Sequence, residues 1–305
     1  IKATNTLIGD IKRRLCEKRS YYIAFVDFEK AFDKLDRQRL FKKLRRSGLS
    51  KHFLSVLKAI YSKNEIRVCN GTNLGDPIEQ KIGAPQGDKL SPLLFALFIA
   101  DLARILEATG CSIIFYADDL AIGSDSIEGI QKAFGALEKY CEENGLLVNI
   151  GKTKVVKFRN GGRLAAEDKV TYKGVAIEFV ECFEYLGIKL SSRLRPAAHL
   201  EHRRKKANQA IARLQTVSPM RKMNFLSASR LFNAIIVPSL MYGIEVFSDV
   251  TPETISELIK KLAGLFYKKW MGISIYASTS NTLQELFYND FLKVQNCRPH
   301  QRRER

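Results

Sequence analysis

Cys111-Ser112-Ile113-Ile114-Phe115-Tyr116-Ala117-Asp118-Asp119-Leu120-Ala121-Ile122 is the stretch on which the fold turns. Both ends are short, apolar and rich in aromatic or branched residues, so each reads as a strand. Only Ala117, Asp118 and Asp119 stand between them. The simplest reading is a tight hairpin with carboxylates at its tip. A second apolar run, Tyr21-Tyr22-Ile23-Ala24-Phe25-Val26, reads as a buried strand and ends in Asp27. If these strands are neighbours, Asp27, Asp118 and Asp119 converge at one edge of a sheet. Clustered carboxylates repel unless a cation is present. Hard oxygen ligands suit Mg²⁺, and two such ions can clamp the attacking and leaving oxygens of a phosphoryl transfer. Taken singly, an aspartate at a turn or a strand end is more often structural.

The whole chain agrees with a polyanionic partner. It has 305 residues, a net charge of +18 and a pI near 9.6. Such a balance points first to nucleic acid, with a merely solubilising surface as the bland alternative. At 46% hydrophobic residues there is enough to bury a core, in one large domain or two modest ones. Cysteines at 16, 69, 111, 141, 182 and 297 form no CxxC pair and are expected to be buried, reduced thiols. His199 and His202 share a helical face, and Cys297 lies near His300, but neither pair finds a matching second pair for zinc. No apolar run is read as approaching the ~20 residues of a membrane span, and no signal peptide opens the chain. The first residue is Ile1, which is read as the mark of a fragment.

Further elements follow from spacing. Leu7, Ile11 and Leu15 predict a helix over 2–18. Residues 37–46 predict another, stopped by Gly48, and 53–60 a third. The turn-rich stretch 70–77 lies between 66–69 and 78–82 and predicts a hairpin. Gly83-Ala84-Pro85-Gln86-Gly87-Asp88 is a loop. Ser91-Pro92 is expected to cap a buried helix. Residues 130–140 predict an amphipathic helix, with strands at 155–158 and within 175–190. After Pro196 the pattern is helical, with basic clusters at 203–206, 260–261 and 268–269.

Five segments together resemble the palm motifs of reverse transcriptases. They are Asp27-Phe28-Glu29-Lys30-Ala31-Phe32-Asp33; Gly83-Ala84-Pro85-Gln86-Gly87-Asp88-Lys89-Leu90-Ser91-Pro92; Phe115-Tyr116-Ala117-Asp118-Asp119; Gly145-Leu146-Leu147-Val148-Asn149 followed by Lys152-Thr153; and Phe183-Glu184-Tyr185-Leu186-Gly187. Their wording is most similar to that of non-LTR (LINE-type) retrotransposon enzymes. The resemblance implies an α+β right-hand polymerase palm, an antiparallel sheet backed by helices, followed by a helical thumb. By the same resemblance the fingers would be largely missing from this chain. Residues 1–192 would be the palm with a remnant of fingers, 193–296 the thumb, and 297–305 a basic disordered tail.

The resemblance also implies roles. Asp27, Asp118 and Asp119 would hold two Mg²⁺ ions, with Mn²⁺ as an alternative. Lys152 would serve as general acid to the leaving pyrophosphate, with Lys154 a near competitor. Phe32 would lie under the nucleotide sugar and exclude a 2′-hydroxyl; a plain core aromatic is the competing reading. Gln86 and Gly87 would contact nucleotide and template. Tyr185, Leu186 and Gly187 would position the primer end. The expected partners are an RNA template, a DNA primer and dNTP, with no membrane, in an intracellular setting, nuclear or cytoplasmic, as a ribonucleoprotein. The chain would be part of a longer polyprotein. Two rival readings remain at this stage: a truncated, non-catalytic nucleic-acid-binding remnant, and a group II intron-type maturase.

Overall fold

The computed structural model describes residues 2–62, 64–80, 82–85, 87–162, 168–217 and 222–286. Gln86, Cys297 and the tail lie outside them. The chain divides into two units, Ile1–Phe183 and Glu184–Arg305. The division falls ahead of the change in composition near Pro196, because the turn at Leu186-Gly187 and the strand after it belong with the helices that follow.

The first unit is built on β1 (Tyr21–Val26), whose six side chains are all buried. A strand covered on both faces needs no polar alternation, which is why it reads as an unbroken apolar run. The other strands are β2 (Ser112–Tyr116), β3 (Asp119–Ser124), β4 (Lys154–Phe158) and β5 (Glu178–Phe179), in the order β5-β4-β1-β3-β2. β1 runs antiparallel to β3, with Val26 opposite Leu120, and to β4, with Phe25 opposite Lys154. Only β5 runs parallel, beside β4.

Helices α1 (Lys2–Cys16), α2 (Arg37–Arg46), α3 (Lys51–Ser62), α4 (Ser91–Glu107) and α5 (Ile127–Asn144) complete the unit. α2 starts where Asp36 accepts hydrogen bonds from the amides of Gln38 and Arg39. α5 starts at Ser126, which accepts from the Gly129 amide, and stops at Gly145, whose φ of 70° suits glycine. Ala24, Val26 and Phe28 face one core with Phe95 and Phe98 of α4 and Phe134 of α5. Truncating one of these buried rings to Ala costs roughly 3–5 kcal/mol. On the opposite face Phe25 stacks on Phe183, with ring centroids 4.3 Å apart.

Three expectations are corrected. Ser91 does not cap α4. It is the first residue of the helix, and its hydroxyl donates to the Pro85 carbonyl at 2.7 Å, so it ties the preceding loop down. Cys111 and Cys141 are buried, but Cys16, Cys69 and Cys182 are exposed. The third concerns apolar length: Phe225–Val246 is long and apolar enough to cross a membrane by length and composition alone. Its Ala228, Phe232, Ile236 and Leu240 lie on one face and form part of a packed core, which gives the run a use in a globular unit. The predicted hairpin is present as two short pairings, Glu65–Ile66 with Ile78–Glu79 and Cys69–Asn70 with Asn73–Leu74.

In the second unit the chain turns at Leu186-Gly187 into β7 (Ile188–Ser191), the return strand of a hairpin whose first strand is β6 (Cys182–Tyr185). Then follow α6 (Ala197–Val217), α7 (Phe225–Leu231), α8 (Val237–Met241), α9 (Pro252–Met271) and α10 (Thr279–Glu285). A π turn over Phe232–Ile236 joins α7 to α8, with the Val237 amide donating to the Phe232 carbonyl. Pro238 explains it: proline has no N–H to give, and its ring would strike the carbonyl one turn back. The core joins Ile211 of α6 to Phe232, Ile236, Phe266 and Tyr267.

Candidate active site

The β2–β3 turn has only two loop residues, Ala117 and Asp118, since Tyr116 pairs with Asp119. Ala117 adopts φ 54°, a left-handed conformation that costs an L-residue about 1 kcal/mol. Asp27 follows β1, beside this turn, because Val26 is opposite Leu120. Burial raises the Asp119 carboxyl above the usual carboxylate range, and the charges of Asp118 and Asp27 raise it further. The three aspartates expected from sequence therefore act on one another electrostatically.

A pocket of about 320 Å³ opens at this edge, lined by Asp27, Phe32, Asp118, Asn149 and Lys152 together with the backbone segment 28–31. The segment 147–153 is laced to the strand end. Glu29 donates its amide to the Leu147 carbonyl at 2.7 Å, Asn149 its amide to the Asp27 carbonyl at 2.8 Å, and the Asp27 amide donates to the hydroxyl of fully buried Thr153 at 3.3 Å. The turn is closed by Asn149, whose carbonyl accepts from the amides of Lys152 and Thr153. Lys152 thus projects over the pocket, its Nζ 3.7 Å from Asp27 Oδ2, and its side chain is 70% exposed. Lys154, the competing lysine, donates its Nζ to Glu178 at 2.7 Å instead.

Phe32 is half-buried and packs on Phe95 with centroids 5.0 Å apart. Its loop is held from the other side by the glycine-rich segment. The Gly83 and Ala84 amides donate to the carbonyls of Leu35 and Phe32, both at 2.8 Å. No side chain fits at Gly83, where a Cβ would lie 2.5 Å from the Asp33 carbonyl oxygen and φ is +81°. Space around Gly87 is open, and its φ of +89° is what demands glycine. Asp88 receives the Tyr61 hydroxyl at 3.2 Å, which fixes the loop on the far side of Gln86.

Asn149, Thr153 and Gly83 carry no role in the sequence reading. Their signal is present only as members of motifs, since hydrogen bonding between segments so far apart in the chain leaves no local period.

Among the described residues no group of three or more His, Cys, Asp or Glu side chains forms a ready-made metal cage. Mg²⁺ does not require one. It keeps several waters and takes one or two carboxylates together with substrate phosphates. Asp27 and Asp118, on one pocket wall with Asp119 charge-coupled to both, fit that chemistry.

In the second unit, Leu186 (φ 49°) and Gly187 (φ 77°) are both left-handed, which defines a two-residue turn of the hairpin type. Tyr185 is buried. Tyr242 braces the tip: its hydroxyl donates to the Leu186 carbonyl at 2.9 Å, and a Cβ on Gly187 would lie 3.0 Å from its ring. His199 anchors Tyr242 in turn. It accepts the Lys189 amide at Nδ1, so its proton sits on Nε2, 2.9 Å from the Tyr242 carbonyl.

The basic clusters divide on inspection. Arg203 is consumed by the Ser239 carbonyl and lies over the Tyr242 ring, and Arg204 pairs with Glu201. Lys268 is buried and donates to Ile275 and Thr279. Lys206, with Arg213 from outside the clusters, lines a groove of about 500 Å³ that Glu184, Arg203, Gln209 and Leu214 share.

The fold and site define a palm-type polymerase core: an antiparallel sheet backed by helices, with aspartates at the strand end and hairpin tip. The chain belongs to the reverse transcriptase (RNA-dependent DNA polymerase) family, whose model matches residues 4–190. Among relatives it is 24% identical over 283 residues to the RNA-directed DNA polymerase from mobile element jockey of Drosophila melanogaster, covering 88% of this chain and 30% of that protein. It is 29% identical over 209 residues to the Pol polyprotein from type-1 retrotransposable element R2 of Nasonia vitripennis, covering 62% and 20%. These relatives place it on the non-LTR, LINE-type side of the family. The chain spans less than a third of the length of either. In fold it resembles apo telomerase from Candida tropicalis, with a TM-score of 0.51 at 15% identity over 96% of this chain and 49% of that one.

Proposed function

We propose that this chain is the catalytic core of an RNA-directed DNA polymerase that adds dNTPs to a DNA primer on an RNA template. The observation that carries the reading is the single pocket shared by Asp27, Asp118, Phe32 and Lys152. In the reaction a primer 3′-oxygen bonds to the α-phosphorus, the bond to the β-phosphate oxygen breaks, and pyrophosphate leaves. Asp27, Asp118 and Asp119 would hold two Mg²⁺ ions, with Mn²⁺ able to substitute. Bound divalent cations supply charge neutralisation and align the attacking and leaving oxygens. Lys152, exposed beside Asp27, would give a proton to the departing pyrophosphate. Phe32, backed by Phe95, forms a floor against which a 2′-hydroxyl would collide. Gln86 and Gly87 would meet the nucleotide and template, and the Tyr185-Leu186-Gly187 turn would seat the primer end. The groove beside Lys206 and Arg213 would follow the duplex through its phosphates.

In this reading the chain is one segment of a longer polyprotein that works inside the cell as a ribonucleoprotein, in the nucleus or the cytoplasm. Primer extension on poly(rA)–oligo(dT) with Mg²⁺ tests it. Incorporation is expected, and Asp118→Ala should lower it by at least about 10³-fold. Binding of primer–template with no incorporation by the unaltered chain would identify a nucleic-acid-binding remnant instead.

A further inference from the structure

α2 carries Arg37, Arg39, Lys42, Lys43, Arg45 and Arg46 and no acidic residue. Four of these, Arg39, Lys42, Lys43 and Arg46, follow the i, i+3, i+4, i+7 spacing of one helical face, where like charges repel. They line a pocket of about 300 Å³ whose other walls come from α4 and α5. The floor is rigid. Lys43 Nζ is half-buried and donates to the Phe98 carbonyl, Asp101 and the Tyr140 hydroxyl at 2.8, 2.8 and 2.7 Å. It also sits 4.6 and 4.7 Å from the Phe98 and Tyr140 ring centres. Asp101 is spent twice, on Lys43 and on the Tyr140 hydroxyl at 2.6 Å. Arg39 is tied to the Glu143 carbonyl and to Asp36. Lys42 and Arg46 are exposed and make no hydrogen bond or ion pair among the described residues.

Four cations set against Asp101 and Glu143 leave a surplus of positive charge around a preformed hollow, and it belongs to the helical layer. The side chains facing that layer from β1 are Tyr22, Ala24 and Val26, whereas Asp27 continues the alternate set. An anion bound here would thus not be the triphosphate of the carboxylate pocket. From Arg39 to Arg46 the helix rises about 10 Å, more than one phosphate spans. We propose that this face of α2 grips the sugar–phosphate backbone of single-stranded RNA outside the polymerase pocket. Its identification as the template strand rests on the function proposed above.

The test uses the 305-residue chain and a single-stranded RNA lacking any primer, with affinity followed by fluorescence anisotropy across a salt series. Removing one cation that neutralises a phosphate should flatten the log–log salt slope by about 0.7. Lys42→Ala and Arg46→Ala should each do so, with Lys42→Gln and Arg46→Gln as a second pair should either alanine variant melt early. Lys132→Ala removes an exposed lysine of α5 that does not line the pocket and should leave the slope unchanged. Unchanged slopes in the Lys42 and Arg46 variants would overturn the proposal. So would equal protection of this face by inorganic phosphate, which would mark a small-anion site. Primer extension on poly(rA)–oligo(dT) by the same variants keeps the two readings apart. Retained incorporation with unchanged slopes sinks the α2 site alone.

Discussion

Phe32 shows how one side chain can serve two readings at once. Sequence left it open between a core aromatic and a nucleotide floor. The ring packs on Phe95 on one side and lines the Asp27 pocket on the other, so both readings have a surface to rest on. Replacing it with Val should leave the fold and the carboxylates in place while opening room above Phe95. Discrimination between dNTP and rNTP, measured as the ratio of kcat/KM values, should fall by roughly 100-fold. A ratio that does not move would assign Phe32 to packing only. Asp27, Asp118 and Asp119 were equally legible, since each ends or follows an apolar run that only a buried strand explains. Thr153 was not: nothing local distinguishes a threonine that accepts an amide hydrogen bond across the sheet.

Among elements, the strands and the long helices follow from their spacing, but the joints do not. The His199–Tyr242 latch connects α6 to the tip of the Leu186-Gly187 turn through residues that are distant in sequence. Burial holds the His199 imidazole below its ordinary value; the hydrogen bond to Tyr242 opposes this, and the charges of Arg203 and His202 add to it. The unfolded chain takes up a proton near pH 6.5, and folded His199 does so only at lower pH. The unfolded state thus gains protons first as pH falls, so the second unit should be fully stable above about pH 6.5 and lose stability progressively below it. Denaturant midpoints at about pH 7.5 and about pH 5.5, either side of that value, measure this. His199→Asn should give a flatter dependence from a lower baseline, and an unchanged slope would refute the assignment. The π turn before Pro238 was likewise invisible in the pattern, although the proline that causes it was in plain view.

At the scale of the molecule, a net charge of +18 announced a polyanion without saying where it would lie. Much of that charge is structural: Arg203, Lys268 and Lys43 serve carbonyls, hydroxyls and a carboxylate within the fold. Part of the rest lines two hollows, beside Lys206 and Arg213 in one unit and Lys42 and Arg46 in the other. Binding of primer–template should accordingly weaken steeply with salt, by about 10³-fold or more between roughly 50 and 200 mM if six or more phosphates are engaged. Isothermal titration or filter binding at several salt concentrations would show it. A shallow dependence would mean that the basic excess does not touch the backbone.

The tip residue Ala117 has a consequence for heredity. An alanine codon lies one base change from glycine, valine, serine, threonine, proline and an acidic residue, and the left-handed backbone at this position grades three of these outcomes. Glycine would relax the turn, losing the steric penalty of a Cβ. Valine, branched where the backbone is tightest, would force the hairpin open. Aspartate tolerates the conformation but adds a further negative charge beside Asp119, whose carboxyl burial and its acidic neighbours already raise. Drift at this codon is therefore funnelled toward small side chains, and related sequences should retain alanine or glycine there more often than valine or aspartate.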